Sequence, residues 1–194
     1  MCYPLIKRVL DILIGVIALP FVFLLILIIS PAIWMEDKGP VFYKAKRISQ
    51  GGGVFTMYKF RSMKVNAPDI RLANGDTFNG EDDPRVTKVG RFLRKTSIDE
   101  FPQFLNVLIG DMSFIGPRPD TLDFLEVYKE KYPSILNIKP GITGYNQAFF
   151  RNSIDGADKM KNDDYYAKNV SFKLDVKIVV KTIKTVFLRE NINH

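Results

Sequence analysis

The sequence predicts an α+β chain that is mostly helical, with an N-terminal membrane helix, a small β-hairpin and a helical domain that ends in amphipathic helices. Three observations carry this reading. The run from Ile12 to Met35 holds 24 residues without a charged side chain. Two short β-prone runs flank a triple glycine, and the later apolar residues recur at helical spacing. At 194 residues and 46% apolar, the chain is long enough for one domain plus an appendage.

As a straight helix the 24-residue run is about 36 Å long, enough to cross a hydrocarbon core of about 30 Å. It exceeds a signal-peptide core and no small-x-small cleavage site follows it, so it reads as a retained anchor. Lys7 and Arg8 precede it, and Lys38, Lys44, Lys46 and Arg47 follow. A spanning helix usually has one side poor in Lys and Arg. Pro20 and the Ser30-Pro31 pair interrupt it, because proline removes a helical N–H and its ring clashes with the preceding turn. A kinked spanning helix and a bent helix that returns to the same face both fit. Asp11, three residues after Arg8, reads as an interfacial ion pair at the mouth of the anchor.

Residues 39–48 and 54–63 are half-alternating and β-prone, and Ser49-Gln50-Gly51-Gly52-Gly53 joins them into a hairpin with a loose loop. The three glycines lack the strand, Lys-Ser/Thr and helix of a phosphate loop. Residues 66–84 are rich in Asn, Gly and Asp and read as a surface loop or lid. Helices follow at 87–95, 102–109, 121–131, 157–168 and 172–189. In the last, Val176, Val179, Val180, Ile183, Val186 and Phe187 form an apolar stripe, with Lys173, Lys177, Lys181 and Lys184 off it. Such a helix packs on the domain, the commoner outcome, or lies on an anionic leaflet.

The formal net charge of +7 points to an anionic partner: nucleic acid, an anionic membrane surface or a phosphorylated substrate. No helix-turn-helix, RRM or zinc motif accompanies the charge, so nucleic acid is the weakest of these. The single cysteine, Cys2, excludes an internal disulfide, and with only His194 beside it a His/Cys metal site or a Ser/His triad is excluded too.

Against this basic background stands Asp99-Glu100. Ser97-Ile98-Asp99-Glu100 fits a capping box, in which serine caps a helix and the acid three residues on bonds back to it. Pro102 conflicts with a helix starting at Ser97, so the helix starts later or its first turn is distorted. Near a helix N-terminus a carboxylate is held ionised and phosphate is attracted. Lys59, Arg61, Arg85, Lys88, Arg91, Arg94 and Arg118 supply more cations than two acids need. An ionised Asp beside a cation-bound phosphate can act as a nucleophile on phosphorus, and Asp with Glu can hold Mg²⁺ through hard oxygens.

The segments KRVLD (7–11), GPVFYKAKR (39–47), YKFRSM (58–63), RKTSIDEFPQFLNVLIGDMSFIGPRP (94–119), PGITGYNQ (140–147) and YYAKN (165–169) occur in one order over nearly the whole chain. In this the sequence closely resembles the bacterial sugar transferase family, the small monotopic phosphoglycosyl transferases. The resemblance implies a re-entrant membrane helix over 1–37 and a cytoplasmic catalytic domain over 38–194 with membrane-surface helices, at the bacterial inner membrane. It implies transfer of a sugar 1-phosphate from a UDP-sugar to undecaprenyl phosphate, a polyprenyl phosphate, with release of UMP, as the first membrane step of glycoconjugate synthesis. Asp99 matches the nucleophile that forms a covalent phosphosugar intermediate, Glu100 its partner, and the two together the site of Mg²⁺. Lys59, Arg61, Arg94 and Arg118 match basic positions assigned to substrate phosphates. Inner-membrane lipid is a further partner, and a homodimer is one expectation for the assembly.

Two departures stand out. The family's helix-breaking Ser-Pro falls where this chain has Phe23-Leu24, with Pro20 before it and Ser30-Pro31 after. Lys139 stands before Pro140 where many members have Arg, which replaces a bidentate contact by a point charge. The competing readings are a membrane phosphohydrolase using the same Asp and Mg²⁺, and a non-enzymatic basic membrane scaffold in which the acids only cap a helix.

Overall fold

The computed structural model describes residues 3–68, 70, 80, 82–150 and 156–188. The chain runs α1 (Tyr3–Asp37), β1 (Phe42–Ile48), β2 (Val54–Phe60), α2 (Lys88–Thr96), α3 (Gln103–Ile109), β3 (Ser113–Ile115), α4 (Leu125–Lys131), β4 (Gly141–Thr143), α5 (Tyr145–Phe149), α6 (Gly156–Lys168) and α7 (Phe172–Leu188). Short 3₁₀ turns lie at Gln50–Gly52, Ile98–Glu100, Leu122–Phe124 and Pro133–Asn137. The mostly helical character, the hairpin and the long apolar helix match the sequence reading.

The chain divides into two compact units. The first joins Met1–Ile17, Ala45–Met57 and Gln103–Asn193. The second joins Ala18–Lys44 to Tyr58–Pro102. The division cuts α1 three residues before Pro20, although α1 is helical throughout with Pro20 and Pro31 inside it. Ser30 Oγ bonds back to the Ile26 carbonyl at 2.5 Å, a contact that bends helices and so adds to the effect of Pro31.

In the first unit, α1 buries Asp11 and Gly15 and exposes the apolar side chains between them. A Cβ at Gly15 would stand 2.6 Å from Leu108 Cδ2, so a larger residue there would push the Leu108 side chain of α3 aside. The ion pair expected of Arg8 and Asp11 does not form. Arg8 donates to the Val107 and Leu108 carbonyls at 2.6 and 2.9 Å, the unpaired C-terminal acceptors of short α3. Asp11 accepts from Ser113 Oγ and the Phe114 amide at 3.1 and 2.9 Å. Each group finds a stronger set of partners in the domain than a surface neighbour offers.

Strands β3 and β4 pair in parallel, with Ser113 opposite Gly141 and Ile115 opposite Thr143. This joins the IGPRP and PGITG segments, and an added Cβ at Gly141 would lie 2.1 Å from the Gly116 amide nitrogen. The sequence reading missed both strands and α5, because three to five residues show no period. Helix α7 turns Ile178 and Thr185 inward and leaves Val176, Val179, Val180 and Ile183 outward, 39 to 50% exposed. Packing of that stripe on the domain, the outcome favoured from sequence, is therefore corrected. Asp175 takes the inner position and binds Tyr166 Oη at 2.7 Å and Lys7 Nζ, a polar requirement that fixes the helix rotation.

The second unit centres on Ile29 and Ile33 of α1, Phe60 of β2 and Leu93 of α2, with Val41, Phe42, Val89 and Ile98 packed against them. Phe42 and Phe60 stack at 5.6 Å. Of the acidic loop expected at 66–84, Asp69, residues 71–79 and Glu81 lie outside the described residues.

Candidate active site

Helix α2 starts where Thr87 accepts from the Gly90 amide at 2.9 Å and Glu36 accepts from the Lys88 and Val89 amides at 2.6 and 3.1 Å. These contacts satisfy the donors that a helix start leaves open. Gly90 packs directly on the chain after β2, since a Cβ there would come within 2.0 Å of the Ser62 carbonyl oxygen.

At its other end α2 stops at Ser97, whose φ of 56° and ψ of 17° are left-handed. A non-glycine residue in that region is uncommon. The Ser97 amide closes on the Arg94 and Leu93 carbonyls, and its side chain makes no cap. The capping box read from sequence is therefore corrected: Ser97 ends the helix before it, and α3 begins only at Gln103, after Pro102. Proline forbids the earlier start, and Glu100, freed from capping, turns to Lys59.

Asp99 and Glu100 consequently sit on a single 3₁₀ turn, Ile98–Glu100. Ile98 plugs that turn into the Ile29–Phe60–Leu93 cluster. On its far side Phe101 meets the ring of Phe21 edge-on at 5.6 Å, and Pro102 is fully buried. The two acids are thus pinned between apolar anchors, one of which is on the membrane helix immediately after Pro20.

The basic residues fall into distinct places. Lys59 Nζ lies 2.7 Å from Glu100 Oε1 in a pair that is largely buried. Arg94 Nε donates to Ser62 Oγ at 2.9 Å. Burial pushes the Arg94 guanidinium below its ordinary pKa, opposed by the charges of Asp99 and Asp83 and reinforced by that of Arg85. Lys59, Arg94, Asp99 and Glu100 therefore share one electrostatic neighbourhood. Arg61 is committed elsewhere: Nη1 and Nη2 bind the two Asp37 oxygens at 2.5 Å each, and further N–H groups reach the Pro40 and Met63 carbonyls. Four of its five donors are used within the chain. Arg118 belongs to the other unit, exposed between buried Pro117 and Pro119, in a cleft also lined by Ile48, Asp120 and Tyr128. Lys139, on the same unit, is pushed below its ordinary pKa by burial and by Arg8, against Asp11 and Asp111.

Sequence reasoning missed four participants. Asp83, placed in a surface loop, has no exposure at all. Glu36 and Asp37 end α1 where the helix dipole disfavours acids, and that mismatch was the available signal that both have partners. Ser62 gave no signal beyond its place in YKFRSM.

Among the described residues no group of three His, Cys, Asp or Glu side chains is placed to cage a metal. The dyad offers two adjacent hard-oxygen groups. Mg²⁺ is commonly bound by one or two carboxylates together with water and substrate phosphate, so this donor set fits that ion.

The carboxylate pair lies beside the Lys59 ammonium and the Arg94 guanidinium, in a chain whose α1 is long and apolar enough to cross a membrane. The chain belongs to the bacterial sugar transferase family, whose sequence profile matches residues 2–189. It is 43% identical over 190 residues to the galactosyl transferase CpsE of Streptococcus agalactiae, covering 94% of this chain and 42% of that one. It is equally 43% identical to the UDP-N-acetylgalactosamine-undecaprenyl-phosphate N-acetylgalactosaminephosphotransferase of Aeromonas hydrophila, covering 95% and 44%. An uncharacterized sugar transferase of Bacillus subtilis, EpsL, is 40% identical over 188 residues, covering 97% and 90%. The chain thus spans less than half the length of the first two relatives and most of the third.

Proposed function

We propose that this protein moves a sugar 1-phosphate from a UDP-sugar to undecaprenyl phosphate through a covalent intermediate on Asp99. The observation that carries the reading is the turn bearing Asp99 and Glu100, locked between Ile98 and Phe101 and faced by Arg94 and Lys59. A fixed, cation-flanked carboxylate meets the main demand of phosphoryl transfer, which is positioning and charge neutralisation. The names of relatives that join undecaprenyl phosphate to a sugar phosphate support the substrate class.

In the first step an Asp99 carboxylate oxygen forms a bond to the β-phosphorus while the bond from that phosphorus to the bridging oxygen breaks, and UMP leaves with that oxygen. In the second, a phosphate oxygen of the lipid forms a bond to the same phosphorus, the Asp99–phosphorus bond breaks and the carboxylate is regenerated. Neither step requires a proton. Lys59 and Arg94 contact phosphate at the dyad, and Arg118 keeps the phosphate role that the resemblance assigns to it. Mg²⁺ held by Asp99 and Glu100 would neutralise phosphate charge. Arg61, matched to a basic phosphate position by the resemblance, spends four donors on Asp37 and the Pro40 and Met63 carbonyls, and on this reading it acts as a strut.

We place the active domain on the cytoplasmic face of the inner membrane with α1 re-entrant. Near the start of α1, Lys7, Arg8 and Asp11 bind Asp175, the α3 carbonyls and Ser113; at its end, Glu36 and Asp37 bind α2 and Arg61. All these partners follow residue 60, and α1 is the one helix among the described residues long and apolar enough to cross a membrane. Both ends of α1 then share a side, which agrees with basic flanks at both. The outward stripe of α7 suits the same membrane surface.

The test incubates wild type and Asp99→Asn with a UDP-sugar panel, Mg²⁺ and undecaprenyl phosphate. Lipid-dependent UMP release and an acid-quenched phosphosugar adduct on Asp99 are expected of wild type alone. Full activity of the variant refutes the nucleophile, and sugar phosphate release without lipid indicates hydrolysis.

A further inference from the structure

Arg8 and Lys139, which the reaction at the dyad does not use, meet over the end of α3. A Cβ placed on Gly110 would stand 3.3 Å from Arg8 Nη2 and 3.6 Å from Lys139 Nζ, so the two cations converge on one bare backbone position. Gly110 has a φ of 105°, which disfavours any side chain there. Both cations are half-buried. Burial first, and then repulsion from Arg8, hold Lys139 below its ordinary pKa.

The end of α3 does not account for this second cation. Arg8 donates to the Val107 and Leu108 carbonyls, and the Asn106 carbonyl takes the Gly110, Asp111 and Met112 amides. Those three acceptors are satisfied without Lys139. The charges of Asp11 and Asp111 reach Lys139. Their carboxylates, however, bond to Ser113 and Phe114 and to Asn106 respectively. Among the described residues Lys139 Nζ has no hydrogen-bond or ion-pair partner. A half-buried ammonium left in that state is costly, and an anion relieves the cost.

The surroundings are apolar. Ile109, next to Gly110, is 69% exposed, and Leu5 and Ile12, one turn to either side of Arg8 on its face of α1, are 71% and 40% exposed. Arg8 also precedes the uncharged run that begins at Ile12, the level at which headgroups flank a membrane helix. A ligand that fits has an anionic, hydrogen-bond-accepting head and an apolar tail.

We propose that Arg8, Lys139 and the bare backbone at Gly110 seat the phosphate of a membrane glycerophospholipid, in a site of the first unit that shares no residue with the dyad. The phosphate oxygens accept from Lys139 Nζ and the remaining N–H groups of Arg8, and an acyl chain covers Ile109, Leu5 and Ile12. The lipid thereby ties the start of α1 and the end of α3 to the membrane surface. The site rests on the membrane reading of α1 given under Proposed function.

The test uses the full chain in an uncharged detergent: wild type, Lys139→Gln, Lys139→Arg and, as a control for surface charge, exposed Lys131→Gln. Phosphatidylglycerol, dioleoylglycerol and inorganic phosphate are titrated, with the unfolding midpoint and the lipid retained in native mass spectrometry as readouts. Without lipid, Lys139→Gln should melt at or above wild type, because it removes a half-buried charge that has no partner. Phosphatidylglycerol should raise the wild-type midpoint. Its affinity should fall at least about tenfold in Lys139→Gln, as for one lost charge-assisted contact, and stay within about threefold in Lys139→Arg and Lys131→Gln. Equal affinity in wild type and Lys139→Gln overturns the proposal, as does an equal loss in Lys131→Gln, which marks diffuse attraction. An equal shift from dioleoylglycerol or from inorganic phosphate overturns it too, since the first lacks the phosphate and the second the lipid. Complete displacement of phosphatidylglycerol by equimolar undecaprenyl phosphate reassigns the seat to the acceptor and overturns it. Early melting of lipid-free Lys139→Gln assigns the ammonium to folding, with the same result. Recovery of wild type from membranes without detergent marks instead the failure of α1 as a membrane helix, and the lipid site falls with it.

Discussion

Lys59 Nζ lies 2.7 Å from Glu100 Oε1, and the pair ties the end of β2 to the 3₁₀ turn across 41 residues of sequence. Both side chains are less than a quarter exposed. Replacing Lys59 with Gln removes this ammonium from Glu100. Losing an ion-pair contact at a largely buried charge costs about 1–3 kcal/mol, which corresponds to about a five- to 160-fold loss of turnover where it disturbs the reacting turn. Steady-state UMP release from Lys59→Gln and Lys59→Gln/Glu100→Gln measures this. Equal rates in wild type and Lys59→Gln would remove Lys59 from the site.

Arg61 and Asp37 behave as one structural unit, and the variants should show it. Arg61→Lys and Asp37→Asn each break a buried bidentate pair, at a cost of about 3 kcal/mol. Their double variant should cost less than the sum. Donor KM, measured on protein that remains folded, should stay within about twofold for Arg61→Lys. A selective rise in KM without loss of stability would restore a phosphate contact to Arg61.

Two glycines predict opposite outcomes from one substitution. Gly90→Ala brings a Cβ within 2.0 Å of the Ser62 carbonyl oxygen, so the helix-propensity gain of about 1 kcal/mol is outweighed. Lower thermal stability and reduced activity should appear together, since α2 carries Arg94. At Gly156 an added Cβ meets nothing within 4 Å, and Gly156→Ala should be neutral or stabilising by up to about 1 kcal/mol. Parallel melting curves compare the two.

Asp163 on α6 sets a pH dependence in the first unit. Burial raises its carboxyl to about 7, against the pull of Lys159, and the Asn146 amide bonds one oxygen at 2.6 Å. Because the folded-state pKa exceeds the unfolded value, its favourable contribution is full below about pH 4 and is lost as pH rises through about 7. Asp83 works in the opposite direction: hydrogen bonds from Arg85 hold it below the usual carboxylate range, and its contribution is lost in acid. Asp163→Asn should therefore stabilise the fold more at pH 8 than at pH 5, read from unfolding midpoints at the two pH values. A midpoint difference independent of pH would contradict the assignment.

Topology and the α7 surface can be read with single cysteines. Cys2 and Tyr43→Cys should react with an impermeant maleimide from the same side of the membrane, Tyr43 being half exposed. Reaction from opposite sides would refute a re-entrant α1. In a Cys2→Ser background, Val180→Cys should label slowly in membranes and quickly in detergent, whereas Lys177→Cys should label quickly in both. Equal rapid labelling would leave the α7 stripe in water.

Much of the molecule was legible in the order of its residues. Hydrophobic period and punctuation gave the hairpin, α2, α3, α6 and α7 close to their observed bounds, and α1 by its apolar run, which begins nine residues after the helix does, because each signal lies within a few residues along the chain. The acidic dyad, the basic excess around it and the family were legible for the same reason: they are contiguous motifs. Tertiary structure alone decided the rest. The β3–β4 pair joins residues 28 positions apart in register, and no local period announces three-residue strands. The rotation of α7 followed from the need of buried Asp175 for Tyr166 and Lys7, which overrode the apolar stripe. Ser97 became the end of one helix and not the cap of the next, because Pro102 forbade the later helix from reaching back. What each guanidinium binds was decided by partners distant in sequence, Asp37 for Arg61 and Ser62 for Arg94. A charge carries no label for its counterpart; long-range packing supplies it.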